Sequence, residues 1–219
     1  MKASYFKLIV ALIILHNSNV YCQYVSPPSL QHKTVKKGKF DLSYKDLVGT
    51  IYIDNEYKMA TSSISKTAYS TRYDAYHDQM EIEVDNKQYY LPKTLKSQVI
   101  FNNKTYEVYR YNNENSFFKI GFTSAKIKLL IKETIKLNQE VESNGMVAYK
   151  PKTLKRIKDQ YFYAFENSVA FKLPKNKKHF YAIFKENSKT IQKFVKTTKL
   201  DLKNNQDLVK IFSYYTTLK

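Results

Sequence analysis

Between Thr50 and about Leu173, apolar side chains recur at every second residue, and after Pro174 they recur every three to four. A period of two sends alternate side chains to opposite faces of a strand, whereas a period of 3.6 stripes one side of a helix. The chain therefore reads as α+β and mostly β. An antiparallel body, an open sheet or a barrel-like one, is followed by two to three short C-terminal helices.

Within the body, Ile51 and Ile53 alternate with Thr50, Tyr52 and Asp54. Met80, Ile82 and Val84 alternate with Glu81, Glu83 and Asp85, placing three carboxylates on the face opposite three apolar groups. Asp85-Asn86-Lys87 and Asn102-Asn103-Lys104 read as turns, because Asn and Asp tolerate positive φ. Phe118, Ile120 and Phe122 alternate again, and 126–137 forms one long run. Tyr161, Tyr163 and Phe165 lead through Glu166-Asn167-Ser168 to Val169, Phe171 and Leu173, a further hairpin. About nine or ten strands with short connections predict an antiparallel meander. Beyond Pro174, Phe180, Ile183 and Phe184 share one helical face. Ser188 is placed to cap a second helix that buries Ile191, Phe194 and Val195. Asn204 or Asn205 is placed to cap a third, with Asp207 in its first turn and Leu208, Ile211, Phe212 and Tyr215 on its stripe.

The N-terminus has its own pattern. Lys2 and Lys7 precede an apolar run from Leu8 to Leu15, followed by polar residues. That order is a secretory signal peptide, and the run is too short to span a bilayer. Cleavage is expected between Cys22 and Gln23, which removes the one cysteine and leaves a chain without disulfides, thiolate metal sites or a Cys nucleophile. The expected parts are a signal peptide over 1–22, a loosely tethered lead-in over 23–48, the β body over 49–174 and a helical segment over 175–219 packed on it. No transmembrane segment is expected after cleavage. The destination is the periplasm or the extracellular space.

Removing 1–22 leaves 35 basic residues against 19 acidic ones, a net charge of +16. Nucleic acid is disfavoured as the partner, because only Arg72, Arg110 and Arg156 are arginines, and it is arginine that offers the planar fork for phosphates and guanine edges. The lysines are spread along the sequence, and no local patch stands out in it. A cationic exported chain suits an anionic envelope component or a partner protein.

The exported start ending in Cys22-Gln23, the block from Arg72 to Ile82 (RYDAYHDQMEI) and the ending from Asn205 to Tyr215 (NQDLVKIFSYY) together resemble a group of uncharacterised secreted proteins of Bacteroidota-type bacteria. The resemblance implies an envelope location and a β-then-α order. It implies no catalytic residue.

Few residues carry chemistry. Asp74, Asp78, Glu81, Glu83 and Asp85 fall close together, and Glu81 and Glu83 have the spacing of a glycosidase pair, roughly 7 Å. The same spacing arises on any half-polar strand, so a solvent face paired with lysines is the plainer expectation. Asp74, His77 and Asp78 lack the oxygens and the glycine turn of a calcium site. His32, His77 and His179 are far apart, and no His pair has helical metal spacing. His77 has Asp74 nearby but no serine in a nucleophile elbow. Glycines at 38, 49, 121 and 145 exclude phosphate-loop patterns. No cofactor or metal is expected.

Tyrosine is the richest signal. Tyr69, Tyr73, Tyr76, Tyr89, Tyr90, Tyr106, Tyr109 and Tyr111 crowd the β region. Rings on one face bury area at low entropy cost, so Tyr73, Tyr76, Tyr89 and Tyr109 form a candidate binding surface. Cross-strand packing is the competing use. The sequence thus points to a non-catalytic, exported binding module. The alternatives are a β-barrel carrier of a small apolar ligand or lipid, and a hydrolase using Glu81 or Glu83.

Overall fold

The structure is a computed structural model that describes residues 31–32, 47–139, 142–143, 146 and 148–218. The expected signal peptide and most of the expected lead-in lie outside the described residues.

Among the described residues, thirteen strands and three α-helices follow one another in the expected order. The strands are β1 (Gln31–His32), β2 (Lys58–Ser62), β3 (Ser65–Asp74), β4 (Gln79–Val84), β5 (Lys87–Tyr90), β6 (Gln98–Phe101), β7 (Lys104–Tyr111), β8 (Glu114–Phe122), β9 (Lys128–Lys132), β10 (Ile135–Asn138), β11 (Thr153–Arg156), β12 (Gln160–Ala164) and β13 (Ala170–Lys172). The helices are α1 (Lys177–Ala182), α2 (Ser188–Thr198) and α3 (Asn205–Thr217).

Eleven strands form one antiparallel sheet in the order β1-β5-β4-β3-β2-β6-β7-β8-β9-β12-β13, and β10 and β11 pair separately. The sheet does not close on itself. Nor is it one simple meander. Leu91 and Pro92 end β5, and the chain crosses to place β6 beside β2, opposite in register from Ala60↔Phe101 to Ser62↔Val99. Proline has no N–H to continue a ladder, and Leu91 is instead buried after donating its N–H to Met80.

The hairpin turns follow the asparagines. Asn102 and Asn103 have φ of 50° and 56°, Asn112 and Asn113 51° and 64°, and Asp85 and Asn86 50° and 59°. Two consecutive positive φ values give the turn whose twist matches the flanking strands.

Two expectations need correction. Thr50–Asp54 is not a regular strand. Tyr52 makes an isolated bridge to Asp74, while Ile51 and Ile53 pack half-buried against the core. Residues 126–137 are two strands, broken at Glu133-Thr134, so β10 leaves the main sheet to pair with β11.

One face of the sheet carries two cores. Ala60, Tyr73, Met80, Ile82, Val99, Tyr106 and Phe117 meet Ile135 and Leu154 of the small sheet. Further along, Ile127 and Leu129 meet Phe180, Phe184, Ile191, Leu208, Ile211 and Phe212 of the helical segment. Burying each such side chain contributes about 1.5–3 kcal/mol, and helices this short would not hold alone in water. The opposite face carries a further apolar core where the last strands curl. There Tyr109, Phe118, Leu130, Phe162, Ala164 and Ala170 form a third core. Val169 bridges Arg110 in parallel and Arg110 donates its N–H to the Ser168 carbonyl at 2.9 Å, drawing the end of the sheet back towards β7. A bulge between Ile120 and Phe122 helps the curl. Gly121 sits in it, where an added Cβ would meet Ile131 at 3.1 Å.

Asn204 caps α3, accepting from the Gln206 and Asp207 N–H groups, and Leu208, Ile211, Phe212 and Tyr215 are buried as their spacing requires. Ser188 does not cap α2. It is the first helical residue, after an Asn187 that makes no side-chain cap bond. Among the described residues, no helix is long and apolar enough to cross a membrane.

Candidate functional site

The carboxylates that the sequence grouped are separated by the fold. Glu83 is exposed, but Glu81 is fully buried. It accepts from Arg72 Nε at 2.9 Å and Nη2 at 2.6 Å, from Tyr52 Oη at 3.0 Å and from Tyr57 Oη at 2.5 Å. The Arg72 guanidinium lies 3.7 Å from the Tyr52 ring centre and 4.3 Å from that of Tyr57. Glu81 is therefore not on a solvent face with lysine partners, as expected from its alternation with Ile82. The segment before β2 folds over it, which strand periodicity cannot report. Burial, reinforced by Glu81, pushes both tyrosine hydroxyls well above their ordinary pKa.

Asp74 is likewise fully buried. Its Oδ1 accepts from the Tyr76 and His77 N–H groups, and its Oδ2 lies 2.7 Å from His77 Nδ1. The Asp–His contact is real, but no hydroxyl among the described residues hydrogen-bonds to the ring's other nitrogen. Asp78 turns to a different set: Tyr73 Oη at 2.7 Å, Lys93 at 3.1 Å and Lys132 at 2.5 Å. Among the described residues no cluster of His, Cys, Asp and Glu suits a metal ion. His179 is exposed on α1, and His32, in β1, has no described side chain.

Two buried acids were not singled out by the sequence. Glu133, 2 % exposed, accepts from Tyr106 Oη, Lys119 and Arg156. Burial would raise its pKa, but the bonds from Tyr106 and Lys119 outweigh burial and hold it below the ordinary carboxylate value. Glu107, 3 % exposed, accepts from Gln98 at 2.9 Å, from Tyr109 Oη at 2.7 Å and from Lys128 at 2.9 Å on both oxygens. Glu107 lies on β7 and Glu133 in the break between β9 and β10, and what covers each is invisible to a single-strand pattern.

The tyrosine surface does not form as a unit. Tyr73 and Tyr109 are 1 % and 2 % exposed, so they belong to the interior, while Tyr76 and Tyr89 remain half-buried. Tyr73 packs on Tyr106 with ring centres 5.2 Å apart, and Tyr106 stacks on Phe101 at the same separation. The aromatic richness of the β region is largely cross-strand packing.

Two features remain accessible. The first is a cavity of about 340 Å³ at the open end of the curl. Glu107, Tyr109, Lys128 and Ser168 line its inner side, Ile127, Ala164 and Phe165 give it apolar wall, and Lys96 and Glu166 lie towards solvent. The second is the outer side of the helices. Between 175 and 218 there are ten lysines, all exposed, against three acids, and among the described residues only Lys210 is ion-paired, to Asp207. Lys189, Lys193 and Lys196 recur at i, i+4 and i+7, opposite the buried Ile191 and Val195. No protein-family model, curated protein or solved structure matches the chain.

Proposed function

We propose that the protein is exported and acts without catalysis, binding an anionic component of the cell envelope through the lysine-covered outer side of its C-terminal helices. The observation that carries this reading is the stripe of Lys189, Lys193 and Lys196, followed by the exposed Lys199 and Lys203, with no ion-pair partner among the described residues. The apolar side of α2 is spent on the core, so the helix is held with its charges outward. An exposed cation near an anionic lipid surface contributes about 1 kcal/mol, and none of these lysines has an internal acid to compete. The donor-bound carboxylates support the non-catalytic part. Glu81, Glu107, Glu133 and Asp74 are buried and Asp78 partly so, each is held by donors, and general acid–base work asks for a carboxyl within reach of substrate. The signal-like start and the resemblance to secreted proteins support export. The carrier reading loses its premise, because the sheet is open and the cavity in its curled end has a charged floor rather than an apolar one.

The test is co-sedimentation of the full mature chain with vesicles containing phosphatidylglycerol and with neutral vesicles. Binding to the anionic vesicles alone is expected, weakening steeply from about 50 to 300 mM salt. Replacing Lys189, Lys193 and Lys196 by Gln should lower it about a hundredfold. Binding that ignores salt, or that survives the triple replacement, overturns the reading.

A further inference from the structure

The cavity at the end of the curl holds side chains with nothing to do in the protein alone. Ser168 lines the cavity, and its hydroxyl has no hydrogen-bond partner among the described residues. No buried side-chain oxygen or nitrogen among those residues lacks a partner, so this hydroxyl opens into the cavity, where a ligand's oxygen can reach it. The Lys96 ammonium and the Glu166 carboxylate, both lining the same space, also have no partner among the described residues. Lys128 gives two of its hydrogens to Glu107 and keeps one. Lys96 and Ser168 take φ of 64° and 58° in the turns that precede β6 and join β12 to β13.

The charges define the ligand. Glu107 and Lys128 neutralise each other, leaving one cation, one anion and one hydroxyl around an apolar wall of Ile127, Ala164 and Phe165. A dianion such as phosphate would gain Lys96 but face Glu166. A molecule carrying both a carboxylate and an ammonium group satisfies both. The volume, about 340 Å³, lies at the small end of ligand pockets. We infer that this cavity binds a small zwitterion, a free amino acid with an apolar side chain. Its carboxylate is taken by Lys96, Ser168 and the spare Lys128 hydrogen, its ammonium by Glu166, and its side chain by the apolar wall. The inference is independent of the helical lysines, which lie outside the cavity.

The experiment is a two-dimensional amide NMR titration of the full mature chain with L-leucine, 4-methylpentanoate and inorganic phosphate, repeated on Lys96→Met and Glu166→Gln. Both positions are exposed, so both variants keep the fold, which their unshifted core resonances will verify. L-leucine is expected to move the Ser168 and Lys128 amides saturably, and each variant should weaken it about tenfold, the size of one lost charged hydrogen bond. In the native chain 4-methylpentanoate, which lacks the amine, should fall by a similar factor, and phosphate should not saturate. The inference is overturned if L-leucine gives no saturable shift up to about 10 mM, a Kd weaker than about −3 kcal/mol of binding. Equal binding by both variants, or by 4-methylpentanoate or phosphate, would overturn it too.

Discussion

Arg72 shows why the identity of a single side chain matters here. Its planar guanidinium reaches Glu81 with two nitrogens and fills the gap between two tyrosine rings, which a lysine ammonium cannot do. Glu81 is fully buried, so removing its partner strands a charge in the interior. Arg72→Met is expected to cost about 3–5 kcal/mol in urea unfolding, and adding Glu81→Leu should recover much of that, because the uncompensated charge goes with it. A double variant no more stable than the single one would show that the rings, not the ion pair, hold the segment before β2.

At the scale of elements, α2 ends in an expensive residue. Lys199 takes the left-handed conformation at φ 54° and donates its N–H to the Val195 and Lys196 carbonyls. Glycine accepts that conformation without strain. Lys199→Gly is therefore expected to raise stability by about 1 kcal/mol, read as a higher thermal midpoint. Helix starts and hairpin turns were legible because their causes are local. Asn204 caps α3 and Asn102-Asn103 turns β6 into β7 through bonds and dihedrals within a few residues. The failed cap at Ser188 has a reason as well: a 3₁₀ turn, Lys185–Asn187, runs directly into α2 and moves the boundary back by a residue.

The whole molecule distributes its charge so that stability should have two limits in pH. Glu133 titrates below its ordinary value of 4.5 when folded, so its stabilising contribution is present above that pH and is lost as pH falls through the depressed value. Tyr52, Tyr57, Tyr73, Tyr106 and Tyr109 are shifted above their ordinary 10.0 by burial and by neighbouring carboxylates. Their contribution is complete below pH 10.0 and is lost as pH climbs through the raised values. The thermal midpoint should thus fall at both ends, with the alkaline fall coinciding with a step in tyrosinate absorbance. Glu133→Gln should flatten the acid limb. A smooth tyrosinate titration centred near 10.0, with the fold intact, would contradict the alkaline half.

The sequence alone determined the β-then-α order, the turns and the helical stripes, since each depends on dihedral preferences and periodicity over a handful of neighbours. It also told that Phe212, Ile211 and Leu208 face a core. Only the tertiary structure decided that β6 returns to β2, that Glu81 and Glu107 are interior, and that Tyr73 and Tyr109 are not a surface. Those outcomes depend on which distant segment covers a given face. Periodicity says that a side chain points one way or the other, but not what will be waiting there.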